Sequence, residues 1–496
     1  MSMNYFPRLL RTLKNNELAG NFRQKGNAMF KVRKNREAVE LYTRSIALAE
    51  DKSECLALAY ANRSAVLFEK GFYEECLMNN YPENLKPKLL TRQEKAKILK
   101  PLQTSQNYFE PIPKFPEKNK NTFIDCAADS VEIKYSEDLG RHIVANRNIE
   151  IGEILAIEKP FCHILIKQHL NHCHQCMKLS YNLIPCKNCT QALYCSKKCR
   201  YNANFYHTYE CQILTTMKSM KMDKLKLLPL KIALSVKDQY ELIKNGCSTP
   251  DKDLYRSDRY QEIHNLVANT DSRSVSDLFD RSVTAAVVFH LIKKYTSFFD
   301  KPEDEVTFKE LVLLHLQTAA CNFHEISELA ENKDQIFELD EIGAGAYSFL
   351  SMFNHSCSPN VVRHCYGPII VLRALHSIKK GEQCYDNYGY HYALMTKSDR
   401  RAKLKKQYFF DCICEVCKND WPLYQNLPEI KTDIVISDLD IVKLQNGEVN
   451  AANKFLVENL LKVTELEKLK PNKNLAELQE VIKQCFALLG NIRRTL

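Results

Sequence analysis

The sequence predicts an α+β multidomain protein of 496 residues, in which helical segments flank a central region rich in metal-ligand residues. Apolar residues recur at helical spacing in residues 22–79, and again in residues 451–469 and 475–489. Between these segments, Cys and His residues form closely spaced groups in residues 173–211 and 357–417. Because such spacing is typical of structural zinc sites, the middle of the chain is predicted to fold around metal ions.

Composition indicates an ordinary globular protein, since 45% of the residues are hydrophobic and 26% are charged. The sequence lacks an apolar run of the length that a membrane span needs, and the N-terminus lacks a long apolar stretch, so neither a membrane span nor a secretory signal is expected. Most of the 20 cysteines have metal-ligand spacing, which favours a reducing compartment, and we expect the cytoplasm and nucleus. Zinc binding by eleven thiolates would reduce the formal charge of +10 to roughly +5.

The segment 173–211, called here the finger segment, holds enough ligands for two tetrahedral zinc sites. Its candidate ligands form four successive pairs, Cys173 and Cys176, Cys186 and Cys189, Cys195 and Cys199, and His207 and Cys211. Because so short a segment buries little apolar surface, zinc is expected to supply its folding energy. We expect pairs one and three to share one ion and pairs two and four the other. The alternative is a cluster of buried free thiols.

The ligand order, with Tyr194-Cys195-Ser196 before the third pair, resembles a MYND finger, a module that docks short peptides and other proteins. The resemblance implies transcriptional co-repressors as partners. One departure is Asn204, where that family usually carries Trp, with Phe205 beside it.

A run of lysines follows the finger segment and comprises Lys218, Lys221, Lys224, Lys226 and Lys231. These lysines either contact nucleic acid or form the solvated face of a helix, and the interspersed leucines favour the helix face. Direct DNA binding is not expected, because the finger segment lacks the helix spacing of base-reading zinc fingers.

Residues 22–79 are predicted to form pairs of amphipathic helices. The motif Lys25-Gly26-Asn27, followed by Ala38, Tyr42 and later Tyr60, resembles tetratricopeptide repeats, with a third unit after Tyr81-Pro82. The resemblance implies that a clamp of polar residues binds the C-terminal carboxylates of a heat-shock chaperone. The clamp residues would be Arg23, Asn27, Asn62, Lys88 and Arg92. The alternative is that they are surface charges and helix-packing amides.

A second cysteine pattern lies in Asn354-His355-Ser356-Cys357 and in Cys412-x-Cys414-x2-Cys417. A third zinc ion is predicted from Cys357, Cys412, Cys414 and Cys417. With Gly140-Arg141, Gly381-Glu382, Tyr388 and Gln407-Tyr408-Phe409-Phe410, this pattern resembles a SET domain with its post-SET zinc loop. The whole combination is similar to the SET and MYND domain-containing protein lysine methyltransferases, of the type that carries tetratricopeptide repeats.

That resemblance implies methyl transfer from S-adenosylmethionine to lysine side chains of histone or non-histone proteins. It places Tyr388 and Tyr408 as catalytic residues in an aromatic channel for the substrate amine. The implied cofactor-binding residues are Arg141, Asn322, Asn354, His355, Tyr388 and Phe410. Arg141 is expected to pair with the cofactor carboxylate, and the third zinc ion to pull Tyr408 and Phe410 over the active site. Leu139 and His142 depart from the family pattern near Arg141.

The predicted organisation has seven segments. They are 1–115 repeat-like helices, 116–172 the first part of a mostly β SET core, 173–211 the finger, 212–320 a helical insert, 321–400 the main SET core, 401–420 the post-SET zinc loop and 421–496 a C-terminal helical domain. The competing function is a non-catalytic adaptor that links a chaperone to transcriptional partners. The presence of Asn354, His355, Tyr388 and Tyr408 favours an enzyme, because a scaffold has no need for two hydroxyls in a lysine channel.

Overall fold

The computed structural model describes residues 13–77, 86–100, 111–246, 254–332, 334, 336–432 and 436–493. The Tyr81-Pro82 start of the predicted third repeat unit lies outside these residues. Lys88 lies on a described helix, but its side chain is also outside the described part of the protein.

The N-terminal region is helical, as its periodicity predicts. Its helices are α1 Asn16–Lys31, α2 Asn35–Leu48, α3 Glu54–Glu69, α4 Tyr73–Leu77 and α5 Lys86–Leu99. Asn15 and Ser53 cap α1 and α3, because their side chains accept backbone N–H bonds from the first turns. Gly26 of α1 lies against Tyr42 of α2, where a Cβ would stand 2.6 Å from a ring carbon. The close pairing of α1 and α2 therefore depends on this glycine.

The middle of the chain is built from short strands. They are β1 Val131–Ser136, β2 Gly140–Ala145, β3 Ile154–Glu158, β4 Cys162–Leu165, β5 Ile184–Pro185, β6 Leu193–Tyr194, β7 Phe323–Glu331, β8 Phe337–Ala346, β9 Asn354–His355, β10 Val361–Tyr366, β11 Ile369–Ala374, β12 Tyr385–Asp386 and β13 Ile492–Arg493. The larger sheets have the orders β13-β7-β8-β4 and β10-β11-β3. Strands β9 and β12 run parallel and place Asn354 beside Tyr385 and His355 beside Asp386. This pair brings two sequence-distant motifs together.

Further helices follow the finger segment and the sheets. They are α6 Lys197–Asn202, α7 Asn204–Ser219, α8 Lys224–Ser235, α9 Tyr240–Lys244, α10 Tyr260–His264, α11 Val275–Tyr295, α12 Pro302–Asn322, α13 Lys397–Tyr408, α14 Glu415–Lys418, α15 Asp438–Gln445, α16 Val449–Glu467 and α17 Lys473–Leu488. Helical structure thus dominates residues 212–320, as expected. Within the described residues, no helix has the length and apolar character needed to cross a bilayer.

The lysine run on α7 and α8 is not a uniformly solvated helix face, so that prediction is wrong for its last member. Lys231 is 5% exposed, donates to the carbonyl of His163 at 2.7 Å and lies 4.0 Å from the ring centroid of Tyr206. Lys224 pairs with Glu341 of β8. Both lysines therefore join α8 to neighbouring elements.

The C-terminal helices α16 and α17 pack together, as the periodicity predicts. The short strand that follows α17 joins the sheet that contains β7 and β8. Strand β13 pairs in parallel with β7, with Ile492 opposite Leu329. Arg493 of β13 forms ion pairs with Glu328 and Asp340 at 2.7 Å each. Strand β13 is consequently an edge strand of the sheet with the order β13-β7-β8-β4.

Candidate functional site

A pocket of about 470 Å³ lies where β2, the end of α12, the β9–β12 pair and the segment after α13 meet. Its walls include every residue predicted to hold a cofactor or a substrate amine, namely Arg141, Asn322, Asn354, His355, Tyr388, Tyr408 and Phe410. The volume is in the range of small-molecule sites. Apolar groups such as Met352 and Ile413 share the walls with the amide of Asn354 and the guanidinium of Arg141, a combination that suits S-adenosylmethionine.

The two predicted channel tyrosines are in contact. The ring centroids of Tyr388 and Tyr408 are 4.6 Å apart, and the rings are tilted by 41°. Burial raises the pKa of both phenols, so both hydroxyls are protonated near neutral pH. The Tyr388 hydroxyl donates to the carbonyl of Phe353 at 2.9 Å. Because its oxygen keeps free lone pairs, it can accept a hydrogen bond from an amine.

The imidazole of His355 lies in the wall of the pocket, between Tyr388 and Cys357. Its Nδ1 accepts the backbone N–H of Tyr388 at 3.1 Å, and its Nε2 lies 3.5 Å from the sulfur of Cys357. With Nδ1 accepting, the ring proton belongs on Nε2 and points at the sulfur. The imidazole is thus a positioning group that joins Tyr388 to Cys357.

Other predicted cofactor residues also make internal contacts. Asn354 donates to the carbonyl of Leu139 at 3.3 Å, which ties the motif loop to the β1–β2 turn. Arg141 was expected to pair with a cofactor carboxylate, whereas its Nη2 donates to the carbonyl of Asn265 at 2.7 Å. The amide of Asn322 donates to the carbonyls of Val267 and Thr318.

A partly buried chain of polar contacts behind the pocket was not anticipated from the sequence. Asp386 pairs with Arg363, whose Nη1 lies 3.5 Å from His324 Nδ1, and His324 Nε2 lies 3.3 Å from Ser351 Oγ. Ser351 lines the pocket, and burial lowers the pKa of His324 far enough to keep the ring neutral. The contacts of His324 and Arg363 could not be predicted from the sequence, because they depend on how β7 and β10 lie in the fold.

The twelve predicted zinc ligands fall into three groups, and within each group the ligand atoms lie within 4.8 Å of one another. The groups are Cys173, Cys176, Cys195 and Cys199; Cys186, Cys189, His207 and Cys211; and Cys357, Cys412, Cys414 and Cys417. The first two groups follow the interleaved pairing expected from the sequence. Sulfurs bound tetrahedrally to zinc at about 2.3 Å are about 3.8 Å apart. The observed separations of 3.6 Å for Cys176–Cys195, 3.8 Å for Cys186–Cys211 and 3.9 Å for Cys357–Cys412 fit that geometry.

A buried carboxylate, Glu210, supports the second group. One of its oxygens lies 2.8 Å from Nδ1 of His207 and 2.7 Å from Nε2 of His174. A carboxylate on the outer nitrogen fixes the tautomer and orientation of a metal-binding histidine. Glu210 lies three positions after His207 on α7, a helical spacing that could have identified it from the sequence.

The predicted clamp residues are partly brought together. Asn62 Nδ2 and the Tyr42 hydroxyl each donate to Asn27 Oδ1 at 2.8 Å. Arg23 Nε is buried without a hydrogen-bond partner among the described residues. Arg92 donates to the carbonyl of Ala61 and to Ser64 Oγ, so its guanidinium is engaged within the helices.

Comparison with known proteins matches residues 140–389, half of the chain, to the SET domain family. Protein-lysine N-methyltransferase SMYD4 of Danio rerio is 26% identical over 82% of this chain and 66% of its own length. The Homo sapiens protein of the same name is 23% identical, with 80% and 66% covered. N-lysine methyltransferase SMYD2 of Homo sapiens is 25% identical, with 56% and 58% covered. The chain thus spans about two thirds of the length of the SMYD4 proteins.

A solved structure described as the SET domain of LSMT bound to lysine and AdoHcy aligns with 73% of this chain and 85% of its own. Its identity of 10% and TM-score of 0.27 are too low to inform the fold. The match over residues 140–389 includes the Asn354 motif and ends just after Tyr388, so it spans the larger part of the pocket described above. This chain belongs to the SET domain family.

Proposed function

We propose that this chain is a protein-lysine N-methyltransferase, which transfers a methyl group from S-adenosylmethionine to lysine side chains of histone or non-histone proteins. The observation that carries the proposal is the contact between Tyr388 and Tyr408 at 4.6 Å, in the wall of the pocket that also holds Asn354. A scaffold does not need two adjoining phenols in the wall of one small cavity, whereas amine alkylation does.

S-adenosylmethionine supplies an electrophilic methyl group, and the residues of this chain present the amine to it. The hydroxyl oxygens of Tyr388 and Tyr408 accept N–H bonds from the amine and so orient its lone pair. The faces of these rings and of Phe410 favour the positive charge that develops on nitrogen. Asn354 supplies polar backbone and amide groups to the cofactor.

Three zinc ions, one at each cysteine group, have a structural role in this proposal. The site formed by Cys357, Cys412, Cys414 and Cys417 fixes residues 412–417. This segment begins two residues after the pocket residue Phe410. The other two sites fold the finger segment. Loss of the third ion would therefore reduce cofactor binding before it unfolds the protein.

The helical repeats and the finger segment are proposed as docking modules. The asparagine pair Asn27–Asn62, joined by a 2.8 Å hydrogen bond, supports capture of a heat-shock chaperone C-terminal tail by the repeats. Tyr201 and Phe205 on the finger segment are 76% and 56% exposed, which supports docking of a transcriptional co-repressor there. Cytoplasm and nucleus remain the proposed compartments.

The test is calorimetric binding of S-adenosylmethionine to the zinc-loaded full chain, together with transfer of labelled methyl groups to proteins of a cell extract. Asn354→Ala should abolish detectable cofactor binding. Tyr388→Phe should preserve binding and lower turnover by about 10²-fold, because one hydroxyl that orients the amine is lost. Tyr390→Phe is the matched control, since its hydroxyl bonds to Gln407 and the residue does not line the pocket.

The competing proposal is a non-catalytic adaptor whose SET fold is only a scaffold. It would be supported if the folded, zinc-loaded wild-type chain bound no S-adenosylmethionine. Cofactor binding with equal turnover in Tyr388→Phe and Tyr390→Phe would instead retain the methyltransferase and remove the role given to Tyr388.

A further inference from the structure

A second pocket, of about 520 Å³, lies between the N-terminal helices and the finger segment. It shares no lining residue with the tyrosine pocket or with the predicted clamp. We propose that this pocket, called here the junction groove, binds an acidic peptide segment that carries an apolar side chain between its carboxylates. The proposal does not depend on methyl transfer.

The charge of the junction groove is strongly unbalanced. Its described lining includes five cations against two groups that can carry negative charge, Asp51 and the proposed zinc ligand Cys186. The cations are Lys14, Lys52, Lys187, Lys197 and Arg200. Clustered positive charge at a concave, partly desolvated surface attracts carboxylates more strongly than the same charges would in open water.

Among the residues that the structure describes, most of these cations lack a carboxylate partner. Lys14 Nζ donates to the carbonyl of Ala47 at 2.7 Å, and Arg200 donates to the carbonyl of Pro185 at 3.3 Å. Lys187 lies 3.9 Å from Asp51, which is a weak ion pair. No carboxylate of the described residues pairs with Lys52 or Lys197. An anionic ligand would therefore form charge pairs that the described residues do not form.

Apolar groups line the same groove and favour a peptide over a nucleic acid. Leu56 of α3 faces the groove together with Ile184 and Pro185 of β5. Tyr60, the aromatic residue among the described lining, is only 6% exposed and so offers no face on which a base could stack. Single-stranded nucleic acids need such stacking platforms, whereas a leucine-like side chain flanked by carboxylates matches these walls.

The two walls of the groove are held together before any ligand binds. Arg63 of α3 has no exposed surface and donates to Asn182 Oδ1 at 3.1 Å and to the carbonyl of Leu183 at 2.9 Å. It also donates to Thr43 of α2 at 3.2 Å. A preformed site lowers the ordering cost of binding, so a short peptide is a suitable ligand.

The test uses a fluorescein-labelled peptide of alternating glutamate and leucine, titrated with the zinc-loaded full chain while anisotropy is measured. The double variant Lys52→Glu/Lys197→Glu should bind at least tenfold more weakly, and salt should weaken wild-type binding. Lys34→Glu/Lys198→Glu is the matched control, because it makes the same charge change at exposed lysines outside the groove. Circular dichroism and zinc content confirm that both variants are folded.

A second pair of measurements separates the groove from general charge attraction. Leu56→Ala should weaken binding of the glutamate–leucine peptide several-fold and leave binding of a glutamate–glycine peptide unchanged. Equal losses in the two double variants would overturn the proposal, as would the absence of peptide binding to the wild type at low salt. It would also fail if a single-stranded oligonucleotide of equal charge bound more tightly and lost affinity in the same variants.

Discussion

The Nε atom of Arg400 lies 3.1 Å from the sulfur of Cys357, and the arginine has no exposed surface. A second guanidinium nitrogen of Arg400 is 3.8 Å from the sulfur of Cys417. Four thiolates around one zinc ion carry two excess negative charges, and burying that excess without a counter-charge is costly. Arg400 therefore supplies a counter-charge to the proposed third zinc site.

Replacement of this arginine should weaken the third zinc site. In Arg400→Met we expect zinc at this site to be lost at about 10- to 100-fold lower chelator concentration. The reason is that the ligand sulfurs of Cys357 and Cys417 lose the guanidinium that contacts them. S-adenosylmethionine binding should weaken in parallel, since Phe410 lies two residues before Cys412. A chromogenic chelator assay and calorimetry measure the two effects. Arg401→Met is the control, and equal zinc retention in both variants would contradict the role of Arg400.

Glu210→Gln should affect the second finger site selectively. An amide is a weaker acceptor than a carboxylate for the imidazole N–H of His207, so we expect about 10- to 100-fold weaker metal binding there. Cobalt substitution provides the readout, because a site of three sulfurs and one nitrogen absorbs differently from a four-sulfur site. The group that contains Cys173 serves as the internal control. Parallel loss of both signals would indicate general unfolding of the finger segment instead.

Arg63→Met should loosen the N-terminal helices from the finger segment. The substitution leaves buried acceptors at Asn182 and Leu183 without their charged donor, and we expect a loss of about 3 kcal/mol in the free energy of unfolding. Arg63→Lys should recover little of the lost free energy of unfolding, because one ammonium group cannot reach the same acceptors. Urea denaturation and limited proteolysis between the two regions measure the effect. Unchanged stability in Arg63→Met would mean that the helices are held by other contacts.

A buried carboxyl group, that of Glu158, holds the turn that leads into the Asn354 motif. Its two oxygens accept the backbone N–H groups of Phe349 and Leu350, each at 2.8 Å. Burial raises the pKa of Glu158 from its ordinary 4.5 to about 8. The folded protein therefore keeps this proton over a pH range in which the unfolded chain has released it.

The sign of the resulting pH dependence follows from that difference. Between pH 4.5 and about 8 the folded state binds the extra proton, so Glu158 makes stability fall as pH rises. The slope due to this group is about 1.4 kcal/mol per pH unit. Glu158→Gln should be less stable than wild type near pH 5, because its amide accepts only one of the two N–H bonds. The difference should shrink or reverse by pH 9, and parallel urea midpoints across this range would contradict the shifted pKa.

Local spacing in the sequence predicted much of the zinc arrangement, and the family resemblance predicted much of the pocket lining. Pairs such as Cys186 and Cys189 are constrained by their own short turns, and the motif around Asn354 is equally local. The helices α16 and α17 were predictable from apolar periodicity. A resemblance supplied the pairing of Tyr388 with Tyr408, which neither residue indicates alone among 24 tyrosines.

The contacts that sequence reasoning missed are those between distant, unpatterned residues. Arg63 and Asn182 are 119 positions apart, and Arg400 and Cys357 are 43 apart. A single buried arginine has the same local signature as an exposed one on an amphipathic helix. The burial of Lys231 was missed for the same reason, since its neighbours on α8 suggested a solvated face.

The pairing of β13 with β7 has a consequence for how this protein is made. On the ribosome, β7 is synthesised long before Ile492 and Arg493, and at about 5–20 residues per second the wait is on the order of ten seconds. During that time the edge of β7 lacks its partner strand, and Glu328, which also contacts His172, lacks its ion pair with Arg493. An open strand edge is a site for wrong pairing. The nascent chain thus passes through an aggregation-sensitive interval that lasts until β13 is synthesised.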